Sequence, residues 1–299
     1  MSDDGQHGLT LIAMIGSVFS PYYAWARSRG PTDPEDFCAL NVALYGKGGK
    51  RWALTERGAS ALDRSVDHLA IGPSSVSWNG RWLEVCIDEI TAPIPTRLRG
   101  RIRVHPTTLS PQSYTLDAAA RHRWWPAAPC SRVEVEMHRP DLRWCGDAYF
   151  DANWGSEPLE KRFVGWDWSR STLADGSCAV LYDPIARDEP ARSLALRFDR
   201  NGSTSAFQPP ARARLPKTPI WRVARGVQTE AGHRARVLKT LEDTPFYARS
   251  VVSSHLCGQS VTSMHESLSL ERFSRRWVQL LLPFRMPRNN RAYSRSTQP

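Results

Sequence analysis

The chain has 299 residues, 41% hydrophobic and 23% charged, and its 40 Lys and Arg outnumber its 30 Asp and Glu for a net charge of +10. These values suit a soluble globular protein of one large or two medium domains and exclude a disordered chain. No stretch of about 18 apolar residues is present, so no membrane-spanning helix is expected.

In chain order, residues 1–7 lack a positively charged start, and no cleavage pattern follows the apolar stretch 9–19, so no secretory signal is expected. Residues 9–25 fit either a strand or a helix, because Gly16, Ser17 and Pro21 interrupt them. Residues 39–45, the glycine-rich turn 46–49 and residues 51–56 predict a hairpin. A second hairpin is predicted from 75–78 and 82–90 across Asn79-Gly80. Residues 101–104 and 133–137 predict further strands, and a turn at 138–141 leads into 142–149. Later strands are predicted at 163–168, 178–182, 193–198, 220–223, 236–241 and 247–252, separated by Gly, Asn and Pro turns.

Near the end, Ser269 is placed to cap a helix. Its apolar stripe is Leu270, Phe273, Trp277, Leu280 and Leu281, and Pro283 stops it. That helix either packs against the sheets or lies on a membrane surface. The tail after Arg288 is polar and is expected to be disordered. With about six strands on each side of residue 156, the reading is all-β: two tandem β-barrels or sandwiches, residues 1–156 and 157–299, with a C-terminal helix.

The six Cys are scattered without a C-x-x-C pair, so neither a structural zinc site nor a disulfide framework is expected. No nucleophile elbow, Walker or dinucleotide glycine motif occurs. Arg97, Arg99, Arg101 and Arg103 alternate along one strand face, as a diffuse basic surface or an anion-binding one. No nucleic-acid-binding signature accompanies them.

Two clusters carry candidate chemistry. His122 and Trp124 are two apart, so both point the same way on an extended segment, next to Trp125. Tyr149, Asp151 and Asn153 likewise share one face, followed by Trp154; Asp167 lies between Trp166 and Trp168. A Tyr–Asp–Asn row among aromatics is either a polar group in an aromatic cavity or a satisfied hydrogen-bond network without catalysis.

Several long words resemble the carotenoid 1,2-hydratase (hydroxyneurosporene synthase) family: residues 16–25, 38–46, 51–58, 149–155, 265–273 and 282–288. The resemblance implies two lipocalin-like domains and, without an organic cofactor or metal, addition of water to the terminal 1,2 double bond of acyclic carotenoids such as neurosporene or lycopene. Its functional pattern, His-x-Trp and later Tyr-x-Asp, falls on His122, Trp124, Tyr149 and Asp151 as catalytic residues. Trp125, Asn153, Trp154, Trp166, Asp167 and Trp168 are then expected to bind substrate. Phe150 and Ala152 stand where relatives often carry a second His.

In this reading Asp151 protonates the alkene, Trp124 and Tyr149 face the cation, and His122 holds the water and takes its proton. The expected setting is cytoplasmic and peripheral, at the anionic surface of the inner or intracytoplasmic membrane, with no nucleic-acid partner. A non-catalytic carotenoid or isoprenoid carrier and a cofactor-free cyclase of the same fold are the alternatives.

Overall fold

The computed structural model describes residues 1–47, 49–188 and 192–289. It is all-β, built of antiparallel sheets with a short helical segment near the C-terminus. No helix among the described residues is long and apolar enough to cross a membrane.

The chain divides into two units that alternate along the sequence. The first comprises 1–106, 132–148 and 279–299; the second comprises 107–131 and 149–278. The chain passes between them along two long strands, His122–Arg139 and Asp141–Gly155. The predicted segments 133–137 and 142–149 are parts of these strands.

In the first unit, His7–Ile15, Cys38–Gly46 and Arg51–Arg57 pair in order, and Arg288–Asn289 adds to the last in parallel. The ambiguous stretch 9–25 is both things predicted of it. It is a strand to Ile15, a break at Gly16 with φ +66°, then a helix Pro21–Arg27 capped by the Ser20 hydroxyl. Both predicted hairpins form, as Cys38–Gly46 with Arg51–Arg57 and as Ser74–Trp78 with Leu83–Ile90. Alternation along these strands buries Leu40, Val42, Val85, Ile87, Leu98 and Ile102 in one core with Val133, Val135 and Met137.

The arginine row lies on the opposite face of Arg97–Pro106. Arg97 grips Asp88 with two bonds of 2.7 Å, and Arg103 reaches Glu84 at 2.9 Å. Arg99 and Arg101 approach the same two acids at 4.0 and 3.7 Å. The neighbouring strand thus offsets much of this charge, which favours the diffuse surface over an anion-binding face.

In the second unit, a seven-stranded sheet of the described residues runs Thr204–Ala206, Leu194–Phe198, Cys178–Ala186, Phe163–Thr172, Gln259–Ser269, Tyr247–Leu256 and Arg236–Asp243. A two-stranded ribbon, Arg212–Leu215 with Arg225–Gln228, packs on one face, where Leu215, Val227 and Val252 meet. Residues 220–223 form a turn rather than the expected strand; the strand begins at Arg225, after Arg222 with φ +55°.

The C-terminal helix is also broken. Ser269 caps it as predicted, but Leu270–Phe273 ends at Ser274, whose hydroxyl bonds back to Leu270 O at 2.9 Å. Helix Arg276–Leu281 then resumes, and Pro283 lies in a closing 3₁₀ turn. Arg288 and Asn289 are ordered on a sheet edge; the rest of the expected disordered tail lies outside the described residues. All six Cys are free thiols, with Cys38, Cys130 and Cys178 buried and Cys145 exposed.

Candidate active site

Strand Phe163–Thr172 positions the site through its alternation. Residues 163, 165, 167, 169 and 171 are buried on one face, and Trp166 and Trp168 point to the other. Cross-strand pairing sets Tyr182 opposite Trp168 on one side and Glu266 opposite it on the other. This face carries the aromatic rings that surround Asp151.

Asp151 is held by two donors on one oxygen. Trp124 Nε1 donates to Oδ2 at 2.8 Å and the Tyr149 hydroxyl donates to the same atom at 3.1 Å. Of the two donors, Tyr149 was expected to share its face. Trp124 is fully buried, edge-on to Tyr182 at 5.5 Å and tilted on Tyr114 at 5.6 Å. Tyr149 packs on Trp168 at 5.2 Å, and Trp166 on Tyr182 at 6.4 Å. Asn153 accepts a long bond of 3.4 Å from the Tyr182 hydroxyl.

Burial among these rings pushes the Asp151 carboxyl up to about 6, and the negative charge of Glu266 adds to that; the bonds from Trp124 and Tyr149 restrain it. Roughly one molecule in ten then carries the proton at pH 7. The same burial, with the Asp151 charge, lifts Tyr149 well above an ordinary phenol, so it remains a donor. With Oδ2 engaged twice, Oδ1 is the oxygen free to hold and deliver a proton. Trp168 Nε1 is buried and meets no acceptor among the described residues, so the aromatic wall also offers one indole N–H.

His122 shares the orientation of Trp124, but its ring is engaged elsewhere. Nδ1 meets Asp117 Oδ2 at 2.8 Å and Nε2 meets the Glu157 carbonyl at 3.0 Å, with Phe163 edge-on at 5.1 Å. Burial pushes the Asp117 carboxyl up, but the N–H groups of Arg121 and His122 and the His122 ring outweigh it and hold it below the usual carboxylate range. Both ring nitrogens therefore face protein acceptors, and neither is turned toward Asp151. Gly155 makes room for this: a Cβ there would sit 2.5 Å from His122 Cδ2.

The comparisons with known proteins bear on what such a carboxyl serves. A family model described as carotenoid hydratase CrtC matches residues 11–295. The chain belongs to this carotenoid hydratase family. It is 60% identical over 288 residues to the acyclic carotenoid 1,2-hydratase of Thiocapsa roseopersicina, covering 96% of this chain and 71% of that protein. Identity is 53% to the enzyme of that name from Rubrivivax gelatinosus, with the same two shares. The Cereibacter sphaeroides one is 39% identical, over 93% of this chain and 98% of its own length. No solved structure matches.

Of the expected site residues, the structure groups Trp124, Tyr149 and Asp151, with Trp166, Trp168 and Asn153 beside them. It sets others apart. Asp167 lies on the opposite face of the strand, bonded to Arg212, Ser267 and the Gly226 N–H, with His265 at 3.9 Å. Period two puts neighbours 166 and 167 on opposite faces, so the third acid and the tryptophans beside it cannot line one pocket. Trp125 likewise points away, donating to Ser110 O at 2.6 Å, and Trp154 is 49% exposed.

Sequence reasoning missed Tyr182, Tyr114, Asp117 and Glu266. Tyr182 and Glu266 enter only through strand register, which no local pattern reveals. Asp117 had a usable signal: an Asp just ahead of a tight turn readily caps following N–H groups.

Proposed function

We propose that this protein is an acyclic carotenoid 1,2-hydratase in which Asp151 acts first as acid and then as base. The observation that carries the reading is a partly buried carboxyl, raised to about 6, whose two side-chain hydrogen bonds share one oxygen among aromatic rings.

Hydrating an isolated trisubstituted alkene begins with protonation. Asp151 gives its proton from Oδ1 to C2, leaving a tertiary cation at C1. Rings of Trp166, Trp168, Tyr149 and Tyr182 face that charge, each contact worth on the order of 1–2 kcal/mol when desolvated. Asp151 is now a carboxylate. Water bonds to C1 and its extra proton returns to Asp151, restoring the acid, so the atoms balance with no oxidant or reductant. In this reading the Trp168 N–H, which has no acceptor among the described residues, holds that water. His122 enters as a positioning group, tying Asp117 to the Glu157 carbonyl behind the Trp124 strand. The reading extends to lipocalin-like units and to work at a membrane surface, where such a substrate dissolves.

The test is incubation of the pure protein with lycopene or neurosporene in detergent and mass analysis of the product. A gain of one water at a hydrated end is expected. Tight binding without a mass change would sink the hydratase and leave a carrier; a product of unchanged mass with altered absorption would indicate a cyclase.

A further inference from the structure

Segment 280–286 is half rooted and half bare. Leu282 and Met286 are buried at 7% and 3% exposure, whereas Leu280, Leu281 and Phe284 stand 53%, 40% and 75% exposed. Large apolar side chains this open, next to one another, do not serve the core. Trp52 extends the patch. Arg285 lies over its ring at 4.7 Å, and its carbonyl accepts from Ala92 N–H at 3.1 Å. That bond anchors the loop carrying Ile94, itself 75% exposed, which Arg51 also holds through Thr96 at 3.1 Å.

The charge carried by this segment has one sign. From residue 279 to 299 the sequence holds four Arg and no Asp or Glu. Arg285 is exposed and ion-pairs with no carboxylate among the described residues, in contrast to the arginine row at 97–103. Bare apolar side chains beside an unpaired guanidinium group fit an interface of acyl chains and anionic headgroups.

We propose that Leu280, Leu281, Phe284 and Ile94, with Arg285, form the surface by which this protein docks on an anionic lipid bilayer. The inference rests on the carotenoid reading only for its purpose, since such a substrate is dissolved in lipid. The apolar side chains enter the headgroup boundary and Arg285 meets lipid phosphate.

The test is sedimentation with vesicles of phosphatidylglycerol and phosphatidylcholine. Two variants are compared with the wild type: Leu280→Ser with Phe284→Ser, and Arg285→Gln. The first is expected to bind at least about tenfold more weakly and the second about fivefold. The wild type should bind pure phosphatidylcholine less well. Hydration of detergent-dissolved lycopene should be unchanged in both variants. Arg285 lies on the surface, so its variant serves even if the apolar pair impairs folding. Unchanged vesicle binding by the arginine variant overturns the proposal. So does conversion of a wild-type dimer to monomer by either variant, which would show that a second copy covers the patch. Lack of product in detergent with intact vesicle binding would instead count against the hydratase alone.

Discussion

Trp124 donates its indole N–H to Asp151 at 2.8 Å, so the aromatic wall and the acid are one hydrogen-bonded object. The bond favours the charged carboxylate and restrains the upward push of burial. Trp124→Phe removes the donor and keeps most of the ring. The Asp151 pKa should rise above about 6, shifting the alkaline fall in activity to higher pH. The lost bond should lower stability by about 1 kcal/mol. A pH–rate profile beside a urea melt measures both, and an unmoved profile would mean that Asp151 is not the acid.

In the wild type, the protonated carboxyl is the active form, so activity should be highest below about pH 6 and fall roughly tenfold per pH unit above it. Asp151→Asn cannot protonate an alkene and should be inactive at every pH. It should also be more stable than wild type at pH 8. A raised folded-state pKa means that the ionised form costs folding energy above that pKa, on the order of 2 kcal/mol here, and the neutral amide escapes this. Residual hydration by this variant, or a lower melting point at pH 8, would contradict the assignment.

What the sequence disclosed, and what it did not, follows from the range of the forces involved. The row Tyr149, Asp151, Asn153 and the pair His122, Trp124 were legible because side-chain direction on a strand has period two. The same rule argues against Asp167 joining Trp166 and Trp168, yet three adjacent residues read easily as one cluster. Tyr182 and Glu266 were invisible because register is a long-range property. The break at Ser274 was hidden because the apolar stripe continues across it. Nor does periodicity show how 107–131 and 149–278 come together as one unit, since two unbroken strands carry the chain in and out of it.

His122 provides a test of structure against chemistry. Its imidazole joins Asp117 and the Glu157 carbonyl at 2% exposure, and Ala would remove both ring contacts, leaving Asp117 only its backbone donors and a cavity beside Phe163. His122→Ala should therefore lose about 3 kcal/mol of stability. Its activity should fall, yet the molecules that fold should retain the wild-type pH limb, because Asp151 sets it. Gly155→Ala should resemble it in milder form, by pressing a methyl group on the ring. A stable His122→Ala protein with a displaced limb would return His122 to the proton transfers.

A last prediction concerns stability away from Asp151. Arg57 and Glu89 are paired in the first unit through bonds of 2.8 and 3.1 Å, with side chains 3% and 0% exposed, and the Ser74 hydroxyl adds a 2.8 Å bond to Glu89. Such a pair recovers in attraction what it loses in hydration, so its net worth is small, but breaking it is costly. Glu89→Gln leaves a buried guanidinium without its counter-charge and should cost about 3–5 kcal/mol. Replacing both partners, Arg57→Met with Glu89→Leu, should cost much less or nothing, because no charge is then stranded. Urea melts of the single and double variants decide this, and equal losses would show that the pair itself holds the unit together. Asp151 belongs to the second unit, so the folded fraction of each variant should hydrate carotenoid at the wild-type rate.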